Sequence, residues 1–109
     1  MPRATRTPKL PANQLVAKVN AAIQSGQYRI MPHARLRCSE RDVAAPDIET
    51  ALCQGHTVPS RDRYDLAHTD WSYCFEGPSV DGDPLRIVVA IAGWMLVVTV
   101  IRLGDDKED

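Results

Sequence analysis

The segment Leu85–Gly104, "LRIVVAIAGWMLVVTVIRLG", carries the two strongest strand signals in the chain. Two runs rich in Val and Ile flank Ala92-Gly93, which predicts two antiparallel strands joined by a tight turn. The apolar residues are continuous and do not alternate with polar ones, so both strands are predicted to be central and buried on both faces. The stretch Ile87–Ile101 is short for a bilayer span and is interrupted by Gly93, so no membrane partner is expected.

The chain before this pair predicts helices first and more strands afterwards. Apolar spacing predicts helices over residues 13–25, 32–41 and 45–54, with a short strand at 28–30. A strand could begin at Thr57 and Val58, the polar segment 60–70 is typical of a loop, and the aromatic-rich segment 71–77 predicts a further strand. This order predicts an α+β fold in which two to three helices pack on one small, mainly antiparallel sheet.

Length and composition predict a single domain. The chain has 109 residues, near the common size of one domain. We expect a flexible basic arm over residues 1–11, the domain over 12–103 and a disordered acidic tail over 104–109. The N-terminus lacks the apolar core of a secretory signal, so a cytoplasmic location is expected. The three cysteines show no CxxC spacing, which favours reduced thiols over disulfides or a zinc site.

Charge is distributed unevenly along the chain. The formal net charge is −1 and the pI about 6.3, which argues against avid binding to nucleic acid. Residues 1–41 nevertheless hold eight Lys/Arg and one carboxylate, whereas residues 42–109 hold five Lys/Arg and thirteen carboxylates. Such a split indicates a basic working face or a polyanionic partner. Two solvated surfaces of different charge would explain it equally well.

The segment 31–41, "MPHARLRCSER", contains the densest basic cluster. On a helix, His33, Arg37 and Arg41 stand one turn apart in a row, with Glu40 on the same stripe and Leu36 in a predicted apolar seam beside it. Arginines at this spacing repel each other, and a bound phosphate would offset that repulsion. The alternative is a solvated helix on which Glu40 simply forms a salt bridge with Arg37.

Two resemblances add to this interpretation. Residues 28–102 resemble a small bacterial family of uncharacterised proteins with the pattern His-Ala-x-x-Arg-x-x-Glu-Arg, which begins here at His33. That pattern is followed by a helix of the Asp-Ile-x-x-Ala-Leu type and by two apolar strands, as in this chain. The aromatic residue that usually follows Thr-Val in the last strand is replaced by Ile101.

More loosely, the whole chain is similar to the motility quorum-sensing regulator (MqsR) toxins of the RelE-like superfamily. The shared features are a first helix ending "VNAAIQSGQYR", two further helices, a polar stretch ending "HTDW" and an apolar hairpin. The resemblance implies the toxin of a bacterial type II toxin–antitoxin system, a metal-independent endoribonuclease that cleaves mRNA and needs no cofactor. It also implies a cognate antitoxin with a zinc-binding domain as partner; a second copy of the chain is a further expected partner.

Catalytic residues of those toxins transfer only in part. A lysine in the polar stretch corresponds to Arg61 or Arg63, and a lysine that ends the last strand corresponds to Arg102. A glutamine is replaced by Ser72, and a tyrosine falls near Arg86. The resemblance therefore implies that positive charge is kept at these positions, while the tyrosine and glutamine are lost.

RNA cleavage of this type uses the 2′-hydroxyl of the substrate as nucleophile, so the protein must move protons and stabilise charge on the phosphate. Histidine suits proton transfer near neutral pH, and the forked donors of arginine suit phosphate oxygens. The predicted catalytic residues are His33, Arg37, Arg41 and Arg102. The predicted substrate-binding residues are Arg61, Arg63, Arg86, Tyr64 and His68, the last two as a second proton carrier or a stacking platform.

Two other functions fit the same residues. The basic face of the second helix could belong to a non-catalytic binding module that recognises RNA or an acidic protein partner. The chain could also be a structural or regulatory protein whose strand edge pairs with another chain.

Overall fold

The computed structural model describes residues 7–66 and 68–104. Within these ranges three helices pack on one sheet of six strands, so the predicted α+β fold is confirmed. The elements in chain order are α1 (Ala12–Ser25), β1 (Tyr28–Ile30), α2 (Pro32–Arg41), α3 (Ala45–Gln54), β2 (His56–Thr57), β3 (Arg63–Asp65), β4 (Asp70–Pro78), β5 (Pro84–Ala92) and β6 (Trp94–Arg102).

The sheet has the strand order β1-β6-β5-β4-β2, and β3 also pairs with β4. All pairs are antiparallel except that of β1 with β6, which is parallel. The predicted hairpin is confirmed as β5 and β6, joined at Gly93 with φ of 80°. The first strand therefore lies beside the last one, and β6 connects the N-terminal part of the chain to the meander.

The core lies between the helices and one face of the sheet. Val19 of α1 and Ile48 of α3 are fully buried with Leu85, Val89 and other residues that alternate along the strands. The residues between them on β5 and β6 face the other way and are only half-buried. The prediction that both strands are buried on both faces is thus wrong, because α1, α2 and α3 all pack on the same side.

We call the uncovered side the open face. On β5 it carries Arg86, Val88 and Ala90, which alternate with the buried residues. Cross-strand neighbours share a face of a sheet, so the register adds their partners on the other strands. These partners are Glu76, Cys74 and Ser72 on β4, and Ile101, Thr99 and Leu96 on β6; of these, Cys74 is buried.

The polar segment 60–70 is more ordered than a loop. Residues Pro59–Arg61 form a 3₁₀ turn, and the described part of the segment includes β3, which pairs with the start of β4. Asp62 links this segment to β4, since its Oδ1 accepts a hydrogen bond of 2.8 Å from the backbone N–H of Cys74. The predicted loop was wrong for Arg63–Asp65, because these polar residues are ordered by pairing with the start of the next strand and not by their own strand propensity.

The described end of the predicted basic arm, residues 7–11, lies against the sheet. The indole Nε1 of Trp71 donates to the carbonyl of Thr7, and the N–H of Leu10 donates to the hydroxyl of Tyr73. Lys9 forms an ion pair of 2.9 Å with Asp62. The rest of the predicted arm and residues 105–109 of the predicted tail lie outside the described residues. No described helix is both long and apolar enough to cross a bilayer.

A partly buried polar contact joins β1 to α3. The hydroxyl of Tyr28 donates a short hydrogen bond to Oε2 of Glu49. Burial, the hydrogen bond to this carboxylate and its charge together raise the pKa of Tyr28 from 10.0 to about 12.

This contact predicts a separate titration step at high pH. The raised pKa means that the folded state holds the phenolic proton more tightly than the unfolded state, so this stabilisation is complete below pH 10 and is lost as the pH rises toward 12. Subtracting the ultraviolet titration curve of the Tyr28→Phe variant from that of the native chain isolates the signal of Tyr28, which should ionise near pH 12. Ionisation of that tyrosine near pH 10 would contradict the contact.

Candidate functional site

Helix α2 presents the predicted cluster, and local sequence sets both of its ends. Pro32 occupies the first turn, where its missing N–H has no intrahelical partner to lose. Asp42 ends the helix in the left-handed conformation, with φ of 57°. We call the four residues His33, Arg37, Glu40 and Arg41 the α2 row.

The buried side of α2 is not the predicted one. Ala34 and Cys38 are buried against the sheet, whereas Leu36 is 56% exposed. On the helical wheel, at about 100° per residue, Leu36 lies opposite Ala34 and Cys38, and Arg41 lies next to them. The predicted apolar seam at Leu36 is therefore wrong, because the helix packs through its two small side chains. As a result Arg41 is half-buried and His33 is exposed.

Within the α2 row, Arg37 and Glu40 form an exposed ion pair. Nη1 of Arg37 lies 3.5 Å from Oε1 of Glu40, and the two side chains are 44% and 51% exposed. The salt bridge of the alternative interpretation is thus present. Such a solvated pair contributes roughly 0–1 kcal/mol, so a phosphate that offers two oxygens could compete for the same guanidinium.

Arg102 holds the C-terminal end of α2. One of its terminal nitrogens, Nη2, donates to the backbone carbonyls of Arg41 and Asp42 at 2.8 and 3.3 Å. The other, Nη1, forms an ion pair of 2.7 Å with Asp83 in the β4–β5 turn. A cation at this position satisfies helix-end carbonyls and complements the helix dipole. The predicted catalytic role of Arg102 does not fit these contacts, and we assign it to positioning α2.

Three of the predicted substrate-binding arginines gather on or beside the open face. Arg86 pairs with Glu76 on the neighbouring strand, with Nε 2.9 Å from Oε2. Arg63 lies opposite Ser72 at the β3 edge of the same face. Burial raises the pKa of the Cys74 thiol, whereas the positive charges of Arg86 and Arg61 lower it. Arg61 is therefore near enough to Cys74 for its charge to act on the thiol.

The two remaining predicted residues lie elsewhere. Tyr64 occupies the opposite side of β3, where its ring meets that of Trp71 edge-on at a centroid distance of 5.5 Å. His68 is exposed in the turn before β4, and its Nδ1 lies 2.6 Å from Oδ2 of Asp65. Tyr64 therefore faces away from Arg63 and from the open face.

The structure therefore divides the predicted site in two. The α2 row and Arg102 lie on the helix side of the sheet, and Arg63 and Arg86 lie on the open face. Sequence reasoning missed the carboxylates that hold two of these cations, Asp83 and Glu76. Hairpin register could have indicated Glu76. Only five residues, 79–83, separate the last residue of β4 from the first residue of β5, and a hairpin with this turn places Glu76 opposite Arg86.

A small cleft was also not foreseen. It has a volume of about 290 Å³ and lies between the end of α3 and the β4–β5 hairpin. Gly55, Gly77 and Gly82 supply backbone to its walls, and His56 and Glu76 are among the polar residues that line it. Its volume is at the lower end of small-molecule sites.

Comparison with known proteins gives one match. No curated protein and no solved structure matches the chain. A family model described as "Domain of unknown function (DUF4258)" matches residues 30–102, from the end of β1 through α2 to Arg102 at the end of β6. This match covers more than half of the chain, including the α2 row and the whole hairpin. The chain belongs to the DUF4258 family.

Proposed function

We propose that this protein is the toxin of a bacterial type II toxin–antitoxin system, and that it cleaves mRNA in the cytoplasm with the α2 row as its phosphate-binding site. The observation that carries the proposal is the exposed His33 one helical turn from Arg37, with Arg41 on the next turn. A proton carrier and two cations thus lie along one side of a single rigid helix. Arg102 holds the end of that helix in place.

In this mechanism the RNA supplies its own nucleophile, the 2′-hydroxyl, so no step requires a metal ion or a cofactor. His33 accepts the proton of the hydroxyl as its oxygen bonds to the adjacent phosphorus. Arg37 and Arg41 stabilise the charge that builds up on the phosphoryl oxygens. The P–O5′ bond then breaks and the leaving oxygen takes a proton from solvent, which yields a cyclic phosphate and a 5′-hydroxyl end.

A non-catalytic binding module is the second candidate, and a specific observation favours it. Two cations expected to act on the phosphate, Arg102 and Arg86, are held by Asp83 and Glu76. A module of this kind would bind RNA, or an acidic protein, through the α2 row without cleaving anything. Under both functions Arg37 contacts the anion, but only the toxin requires His33 for turnover.

Induced expression in a bacterial host tests the proposal. The native chain should arrest growth and produce RNA fragments with 5′-hydroxyl ends, and co-expression of the antitoxin should relieve the arrest. Arg37→Ala should reduce cleavage by about a hundredfold or more, in the range seen when a donor to a transition-state oxyanion is removed. His33→Ala should reduce cleavage by about 10²–10⁴-fold while RNA binding is kept.

Arg35→Ala is the matched control, because Arg35 is an exposed arginine of the same helix outside the α2 row. It should leave cleavage and stability unchanged, within about 0.5 kcal/mol for the latter. Full toxicity of Arg37→Ala would contradict the proposed site. RNA binding without fragments from the native chain would favour the binding module.

A further inference from the structure

The open face carries a row of side chains that crosses five strands. The register places Arg63, Ser72, Ala90, Leu96 and Arg29 side by side on β3, β4, β5, β6 and β1. An arginine stands at each end, and the three residues between are small or apolar. Four strand spacings separate the two arginines, about 19 Å from Cα to Cα.

Both ends of this row are cationic. Arg29 is exposed and lies over the ring of Trp94, 5.9 Å from its centroid, and Trp94 is itself 48% exposed. At the other end Arg63 is exposed, and Arg61 adds a second cation toward Cys74. Asp65 and Asp70 pair with each other on the same face, two residues along their strands from Arg63 and Ser72. Their negative charge limits the positive charge at this margin to Arg63 and Arg61.

The centre of the open face is neither cationic nor aromatic. Arg86 is paired with Glu76, and both side chains are less than a quarter exposed. Val88, Ala90 and Leu96 are half-buried, and the three helices of the described chain pack on the opposite face of the sheet. The face therefore offers apolar surface in the middle and cations at its two margins.

We propose that the open face docks an extended acidic, amphipathic segment of a partner protein. Carboxylates of that segment would pair with Arg29 at one margin and Arg63 and Arg61 at the other, and its apolar side chains would cover Ala90 and Leu96. The pattern of charges is complementary to such a segment. The docking surface is separate from the α2 row and does not rest on catalysis.

Single-stranded RNA fits this face less well. Its charges recur at every nucleotide, so some phosphates would lie over the apolar side chains of Ala90 and Leu96. Binding of single strands also relies on aromatic rings beneath the bases, and no ring stands in the row between Arg63 and Arg29. The chain's own acidic residues 105–109, "DDKED", include no apolar side chain that could cover the centre.

A labelled peptide tests the proposal with the full chain. The probe is fluorescein-labelled Glu-Ser-Val-Ser-Leu-Ser-Glu, whose two glutamates lie about 20 Å apart when extended and share one face with its Val and Leu. Fluorescence anisotropy should show saturable binding below 1 mM peptide. Arg29→Glu and Arg63→Glu should each weaken binding at least about tenfold, the effect of losing and reversing one charged contact.

Lys18→Glu is the matched control, since it makes the same charge change at an exposed position on α1. It should change the affinity less than about twofold, and Arg37→Ala should leave peptide binding intact even where it abolishes RNA cleavage. The proposal is overturned by no binding at 1 mM, by equal losses in Lys18→Glu, or by binding seen only after residues 105–109 are removed. It is also overturned if a nine-nucleotide single-stranded RNA, and not the peptide, loses affinity in the two arginine variants.

Discussion

Replacing Gly77 by alanine is expected to lower the free energy of unfolding by about 3 kcal/mol, at the upper end of the cost of overpacking. An added Cβ would lie 2.2 Å from the carbonyl oxygen of Ala51 and 2.8 Å from the Cα of Gly55. All these atoms belong to the backbone at the end of α3, so no side chain can rotate away. The helix would have to move off β4, which would also disturb Ile48 and Leu52 in the core. Urea denaturation measures the change.

Gly104→Ala is the control for this prediction, because an added Cβ there has no neighbour within 4 Å. Its stability should stay within about 0.5 kcal/mol of the native chain. Gly55→Ala should resemble Gly77→Ala, since its Cβ would lie 2.2 Å from the carbonyl oxygen of Glu76. A fully stable Gly77→Ala would show that α3 and β4 are not in direct backbone contact.

Arg102→Met is expected to destabilise the protein by about 2–3 kcal/mol, the scale of lost hydrogen bonds to a charged group. Methionine keeps an unbranched apolar stem but leaves the carbonyls of Arg41 and Asp42 without their donor and Asp83 without its ion pair. The Arg102 side chain is only about one-fifth exposed, so solvent replaces these contacts incompletely. Thermal and urea unfolding measure the loss.

A positioning role for Arg102 predicts more than instability. Arg102→Lys keeps the charge but not the fork, so it should recover part of the stability lost in Arg102→Met. At a temperature where both variants remain folded, hydrogen exchange should be faster at the C-terminal end of α2 in Arg102→Met than in the native chain. Unchanged exchange there would contradict the assignment.

Local signals predicted the helices closely. Pro32 starts α2 and Gly26 and Gly55 follow α1 and α3, and each acts through its own backbone geometry. These signals need no information about distant residues. The three helix ranges expected from the sequence therefore agree with the structure to within one residue.

Side-chain burial on α2 could not be deduced in the same way. Its few apolar residues lie on different sides of the wheel, and a large exposed Leu36 looks identical in sequence to a buried one. The choice of buried side is made by β6, against which Ala34 and Cys38 pack. Likewise, Arg63–Asp65 lack the apolar alternation of a strand, and pairing with the start of β4 is what orders them as β3.

The candidate site was predictable as a spacing but not as a set of contacts. The pattern His33, Arg37, Arg41 follows from helix geometry alone and is present in the structure. The partners of Arg102 lie 19, 60 and 61 positions away along the chain. Only the fold brings them together, so sequence reasoning assigned to this arginine a phosphate contact that its geometry does not support.

The parallel pairing of β1 with β6 also has a consequence for biosynthesis. A nascent chain that has emerged only as far as Ala92 already contains every helix, yet it lacks the neighbour of β1 and the guanidinium that holds α2. Completion of the native structure must therefore wait until the last strand has left the ribosome. Because this closure joins segments more than sixty residues apart, we expect folding to be slower than that of a helical bundle of equal length.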